Sequence, residues 1–137
     1  MKWKRLSVAI LLAFVVATLF DILLNAILIR REWMAGAQCW RSTAEMNRLV
    51  PLGWASMLLV MIFQSAIFVR SNWQGIRRGL EFGGWLGLAA FVGVAGGMTS
   101  VVSWPVSVTL GVALQQVVNN LVIGFSLGWL YRNPTSR

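Results

Sequence analysis

Histidine is absent from this chain, and with it go the commonest general base and the commonest metal ligand. Ligation of haem or chlorophyll through imidazole is excluded for the same reason. Cysteine occurs once, at Cys39, so no intrachain disulfide can form. Carboxylates are nearly as scarce. Asp21, Glu32, Glu45 and Glu81 are the only four, and they are too scattered along the chain to suggest a metal site. No nucleophile–base pair stands out, so an enzyme is not expected. Charge of either sign is sparse: Asp, Glu, Lys and Arg make up 12% of the chain, where soluble domains carry about twice that share. From Phe82 to Tyr131 there is no charged side chain at all.

What the chain has in quantity is apolar surface. Of its 137 residues 58% are hydrophobic, more than one small soluble core could bury. Lipid is the remaining solvent. The formal net charge of +8 does not point to nucleic acid, because the basic residues cluster at the ends of apolar runs. The expected partners are the bilayer and other membrane-embedded chains, with no cofactor and no nucleic acid.

Four apolar runs can be read as spanning helices. The first, 6–29, follows the basic start "MKWKR" and reaches about 36 Å at 1.5 Å per residue, enough to cross a bilayer with some tilt. A cleaved signal peptide would be shorter and end in a small-residue cleavage site, so this run is expected to be retained. The segment 30–50 is the one long hydrophilic connection, and Ser42-Thr43-Ala44-Glu45 within it fits a capping box, predicting a short interfacial helix over 42–50. The second span is 52–69, opened by Pro51. The uncharged remainder divides at Ser103-Trp104-Pro105 into spans 80–102 and 105–130, joined tightly enough to be antiparallel neighbours. The expectation is an all-α, four-transmembrane-helix bundle forming one membrane domain over 1–137.

Arginine and lysine set the expected orientation. With the N-terminus in the cytoplasm, the inner side carries Lys2, Lys4, Arg5, Arg70, Arg77, Arg78, Arg132 and Arg137, and the outer side Arg30, Arg31, Arg41 and Arg48. That distribution favours both termini inside. The tryptophans fall in matching belts, with Trp3, Trp73 and Trp129 at one interface and Trp33, Trp40, Trp54 and Trp104 at the other.

Against this background the stretch "LQQVVNNLVIG", Leu114 to Gly124, stands out. Gln115, Gln116, Asn119 and Asn120 lie near the middle of the last span, where an unpaired carboxamide is costly. They must face protein or water. Gln115 and Asn119 share one helical face, and Gln116 and Asn120 form an adjoining row. The first span offers Ser7, Thr18, Asp21, Asn25 and Glu32 on one stripe, and the second offers Gln64 and Ser65. Asp21, Asn25, Gln64, Gln115, Gln116, Asn119 and Asn120 are therefore expected to form an internal polar seam. An intramembrane carboxylate such as Asp21 is a functional-site hypothesis by default. Glycine supplies the expected packing contacts. Gly75, Gly79, Gly83 and Gly87 recur at every fourth position, Gly93 and Gly97 repeat the spacing, and Gly124 and Gly128 lie in the last span. No strand precedes these glycines and no Gly-Lys-Ser/Thr follows them, so they are not a phosphate loop.

"GIRRGLEFGGWLGL", followed later by "GFSLGWLYR", resembles small bacterial four-helix inner-membrane proteins of unknown function, over residues 75 to 132. That resemblance implies a fold and a multi-pass location in a bacterial inner membrane, not an activity. Two other families fit less well. "GGMTSVVS" is faintly similar to the fluoride channels, whose other motifs do not occur in the same order, and the small multidrug exporters carry a first-helix glutamate that is missing here. The expected role is non-enzymatic: helix packing as a homo-oligomer or as an accessory subunit of a larger complex. The alternative is a small oligomeric transporter or channel that uses Asp21, Asn25, Gln115 and Asn119.

Overall fold

The computed structural model of the protein describes residues 3–35 and 37–132. Within that range the side chains of Trp3, Arg5, Leu28, Ile29, Glu32, Trp33, Ala35 and Cys39 are not described. The places assigned above to Glu32, Trp3, Trp33 and Cys39 thus lie outside the described residues.

Helix α1 spans Trp3–Leu24 and passes through a π turn, Asn25–Ile29, into the short α2, Arg30–Ala35. A 3-10 turn at Ala37–Cys39 leads to α3, Thr43–Arg70, and then come α4, Ile76–Val101, and α5, Val106–Leu130. No strand occurs among the described residues. Four helical segments are long and apolar enough to cross a membrane: Leu6–Ile27, Thr43–Arg70, Ile76–Val101 and Val106–Leu130. The protein is all-α, and this set of helices marks it as a membrane protein.

The segment expected to be a separate interfacial helix over 42–50 is instead the beginning of α3. Its start is fixed as the sequence pattern requires: Ser42 Oγ accepts from the Glu45 backbone N–H at 3.3 Å, and Glu45 Oε2 accepts from the Ser42 N–H at 3.2 Å. The helix then continues through Pro51 to Arg70. Proline removes one backbone donor but holds a helical φ, and no Gly, Asn or Ser lies between Arg48 and Leu52 to release the chain. The first part of α3 is exposed, and only its far half packs, through Met61, Ser65 and Phe68 at helical spacing.

The third span begins earlier than expected, at Ile76 rather than residue 80. Gly75 caps it with a φ of +85°, a conformation that suits glycine alone. Arg77 and Arg78 lie in the first turn and pair with Glu81 at 3.3 Å and 2.7 Å. That pairing draws the basic loop into the helix.

Helix α5 is the centre of the molecule. It is touched by α1, α3 and α4, and it carries the longest set of buried residues, from Val108 to Gly128. α4 and α5 are antiparallel and meet backbone to backbone. A Cβ added at Gly79 would lie 2.8 Å from Gly128 Cα, one at Gly83 2.9 Å from the Asn120 carbonyl carbon, and one at Gly87 3.0 Å from Val117 Cα. Gly124 and Gly128 meet Gly83 and Gly75 in return. Gly93 and Gly97 do not share this role, because nothing lies within 4 Å of where their Cβ would be. The close approach is confined to the half of the pair farthest from the connecting turn.

Helix α1 packs through Leu6, Ala9, Ala13 and Ala17, all buried. Its polar residue Ser7 is exposed. At one end of the bundle Phe68, Trp73, Phe82 and Tyr131 form an edge-to-face aromatic cluster, with Phe68 5.4 Å from Phe82 and 6.3 Å from Tyr131. The helix ends that carry Arg70, Arg77, Arg78 and Arg132 flank this cluster. Elsewhere Trp40 stacks on Trp104 at 5.7 Å, tying the segment before α3 to the turn before α5.

Candidate intramembrane polar site

Gln115 and Asn119 are one helical turn apart near the middle of α5, so their side chains leave the helix on one face. Both carboxamides donate to the same atom of α1, Asp21 Oδ1. Asn119 Nδ2 does so at 2.9 Å, and Gln115 Nε2 makes the second, shorter contact. The carboxyl of Asp21 is thereby held at the level of the α5 midpoint. Gln115 is 8% exposed and Asn119 9%, while Asp21 is half-buried.

A second interhelical pair lies on the adjoining face. Gln64 Nε2 of α3 donates to Asn120 Oδ1 at 2.9 Å, and Asn120 Nδ2 donates to the Gln116 carbonyl at 2.8 Å. Asn120 is also where α4 comes closest, since Gly83 meets its carbonyl and Gly87 its Cβ. α3 and α4 thus converge on one residue of α5, and α1 meets the neighbouring residue.

Asn25 works within its own helix. Its Nδ2 donates to the Asp21 carbonyl at 2.7 Å, and the π turn starts at Asn25. A side chain that takes the i−4 carbonyl competes with the backbone ladder, a recognised cause of local widening. The ladder is loosened one turn beyond the carboxyl at issue. Gln116 contributes its main-chain carbonyl to the arrangement and is half-buried.

Several oxygens in the site have no partner. Thr18 Oγ1, Gln64 Oε1, Ser65 Oγ, Gln115 Oε1 and Asn119 Oδ1 are all buried and make no hydrogen bond. Ser56, Ser71 and Ser126 each donate to the carbonyl four residues back, the ordinary resting place of a helical hydroxyl, and Thr18 and Ser65 do not. Among the described residues no Lys or Arg pairs with Asp21, and no three His, Cys, Asp or Glu side chains gather as a metal-holding group.

No protein-family model matches the chain, and no curated protein or solved structure matches it either. The chemistry of the site therefore has to be read from its own residues. A lone carboxyl and a set of carboxamides and hydroxyls can form hydrogen bonds and offer oxygen ligands.

Of the residues singled out in the sequence, Asp21, Gln115 and Asn119 come together in one group, and Gln64 and Asn120 in another. Thr18 and Ser65, on the same helices as Asp21 and Gln64, add buried hydroxyls that make no hydrogen bond. Their depth within apolar runs was the signal in the sequence.

Proposed function

We propose that this chain is a non-enzymatic membrane protein that works through intramembrane helix packing, as a homo-oligomer or as an accessory subunit of a larger complex. The observation that carries this reading is the use of the deep carboxamides. Gln115 and Asn119 clasp α1, and Asn120 clasps α3, so the amides are spent on holding helices rather than lining an open lumen. Such interhelical bonds contribute about 0.6 to 2 kcal/mol each in lipid. The surface left over supports an assembling role. Nothing among the described residues lies within 4 Å of where a Cβ would be at Gly93, Gly96 or Gly97 of α4, and the first half of α3 is exposed along its length. Small residues at this spacing let a second helix approach closely.

The location that fits is a bacterial inner membrane with both termini in the cytoplasm. It is supported by the basic residues around the aromatic cluster and by the resemblance of residues 75 to 132 to small bacterial inner-membrane proteins.

Purification in a mild detergent, with the mass of the particle measured by light scattering and co-purifying chains identified, tests the proposal. A defined oligomer or a stoichiometric partner is expected, and Gly93→Leu should dissociate it while leaving the helical content unchanged. A particle containing one copy of the chain and no companion, in several detergents and in nanodiscs, overturns the reading.

A further inference from the structure

All five orphaned oxygens are buried, and each lacks the same thing: a donor or a positive charge. Three of them belong to residues beside Asp21 in the fold or on its own helix. Gln115 and Asn119 both reach its Oδ1, and an amide oxygen lies about 2.3 Å from its own nitrogen, so each orphaned amide oxygen is within roughly 5 Å of that carboxyl. Thr18 is three residues before Asp21 on α1 and therefore a neighbour on the same face. Its hydroxyl has forgone the backbone bond that Ser56, Ser71 and Ser126 make.

We propose that Asp21, Thr18, Gln115 and Asn119 form a binding site for a monovalent alkali cation between α1 and α5, at the middle of the bilayer. The charge argues for this class. The group offers one carboxylate and otherwise neutral oxygens, so a single positive charge balances it, whereas a divalent ion would leave a net charge in hydrocarbon. The ligands argue the same way, since amide, hydroxyl and carboxylate oxygens suit hard cations and no thiol or imidazole is present. Water could supply donors to the orphaned oxygens but would leave the carboxylate unneutralised. A proton on Asp21 would neutralise it but could satisfy only one acceptor. An alkali cation does both. The terminal torsions of Asn and Gln are broad, so the two amides can turn oxygen toward the ion without strain in the helix backbone.

The site goes beyond the packing proposal and fails separately from it, because binding is measured per chain whatever the particle contains. The probe is sodium. Purified full-length protein is assayed for binding of radiolabelled Na+, and for thermal stability in sodium chloride against N-methyl-glucamine chloride at one ionic strength. Saturable binding near one ion per chain is expected, with a melting temperature that rises and then levels off as sodium replaces the organic cation. Asp21→Asn should abolish both effects. Thr18→Val, which keeps the side-chain shape and guards against a misfolded Asp21 variant, should weaken binding roughly tenfold. A well-folded wild-type protein that binds no Na+ and melts alike in both salts overturns the proposal. So does binding that survives both substitutions unchanged, and so does a stabilisation that tracks ionic strength alone.

Discussion

Replacing Gly83 by alanine puts a methyl group in place of one hydrogen at the point where α4 and α5 touch. The new Cβ would lie 2.9 Å from the Asn120 carbonyl carbon and 3.1 Å from Leu121 Cα, and nearer still to the Asn120 oxygen. All of these are backbone atoms. None can swing aside as the end of a side chain would, so the helices must move apart. An ordinary contact between carbons needs about 3.5 to 4.0 Å, and a gap of 0.5 to 1 Å forfeits a quarter to a half of each dispersion contact along the seam. The loss extends to Gly79, Gly87, Gly124 and Gly128, which depend on the same separation. Overpacking of this kind costs about 1 to 3 kcal/mol.

Alanine is also a better helix former than glycine by about 1 kcal/mol, which blurs the result of a single variant. Gly84→Ala removes that ambiguity. It gains the same propensity in the same helix, and its new methyl group would meet only Leu121 Cδ2 at 3.9 Å, an ordinary contact. The informative quantity is the difference between the two variants, measured as melting temperature or as resistance to denaturing detergent. Gly83→Ala should be the less stable by about 1 to 3 kcal/mol. Equal stability would show that the α4–α5 contact is not close enough for a methyl group to matter, and the reasoning would fail at its first step.

Three further outcomes follow from other parts of the fold. Asn119→Leu removes one of the two donors to Asp21 Oδ1 and should lower stability by about 1 to 2 kcal/mol in detergent, without reducing membrane insertion, since it makes α5 more apolar. Ser42→Ala removes the hydroxyl that accepts from the Glu45 N–H, leaving the backbone N–H that donates to Glu45 Oε2, and should cost about 0.5 to 2 kcal/mol locally. Because the start of α3 is exposed, the effect should appear as faster amide exchange over 43–50 with an unchanged melting temperature. An impermeant thiol reagent should label Cys39 in intact cells, as the positive-inside rule places the α1–α3 connection outside. Labelling only after permeabilisation, with the thiol shown to be reactive then, would invert the orientation.

The parts of the fold that were legible in the sequence are those written as contrast. Four apolar runs, Pro105 before α5, the capping box at Ser42 and the Gly79-Gly83-Gly87 spacing each differ from their surroundings, and each has its counterpart in the structure. What was illegible lacks contrast. Ala9, Ala13 and Ala17 carry the packing of α1, yet they are small apolar residues in an apolar run and look like filler. Gly93 and Gly97 show the opposite failure. They repeat the spacing of the packing glycines but lie on a face that nothing among the described residues approaches within 4 Å. Spacing fixes which residues share a face, and only the path of the adjacent helix decides whether that face is covered. Pro51 misled for a related reason, because a proline ends a helix only where something else lets the chain turn.

The polar residues raise a subtler point. Their depth in α5 required them to face protein or water, but Gln115 and Asn119 could have met Gln64 as readily as Asp21 on spacing alone. The pairing is settled by the central position of α5, which sets α1 against the Gln115–Asn119 face and leaves Asn120 to α3 and α4. That division of labour has a consequence. The partners given to Asp21 are neutral amides, which orient its carboxyl without balancing any charge on it. The described basic side chains that pair with a carboxylate are Arg77 and Arg78, both engaged with Glu81 outside the apolar core of α4. Among the described residues no basic side chain pairs with Asp21, and the proposed cation would supply that charge once Gln115 and Asn119 turn their unpartnered oxygens toward it.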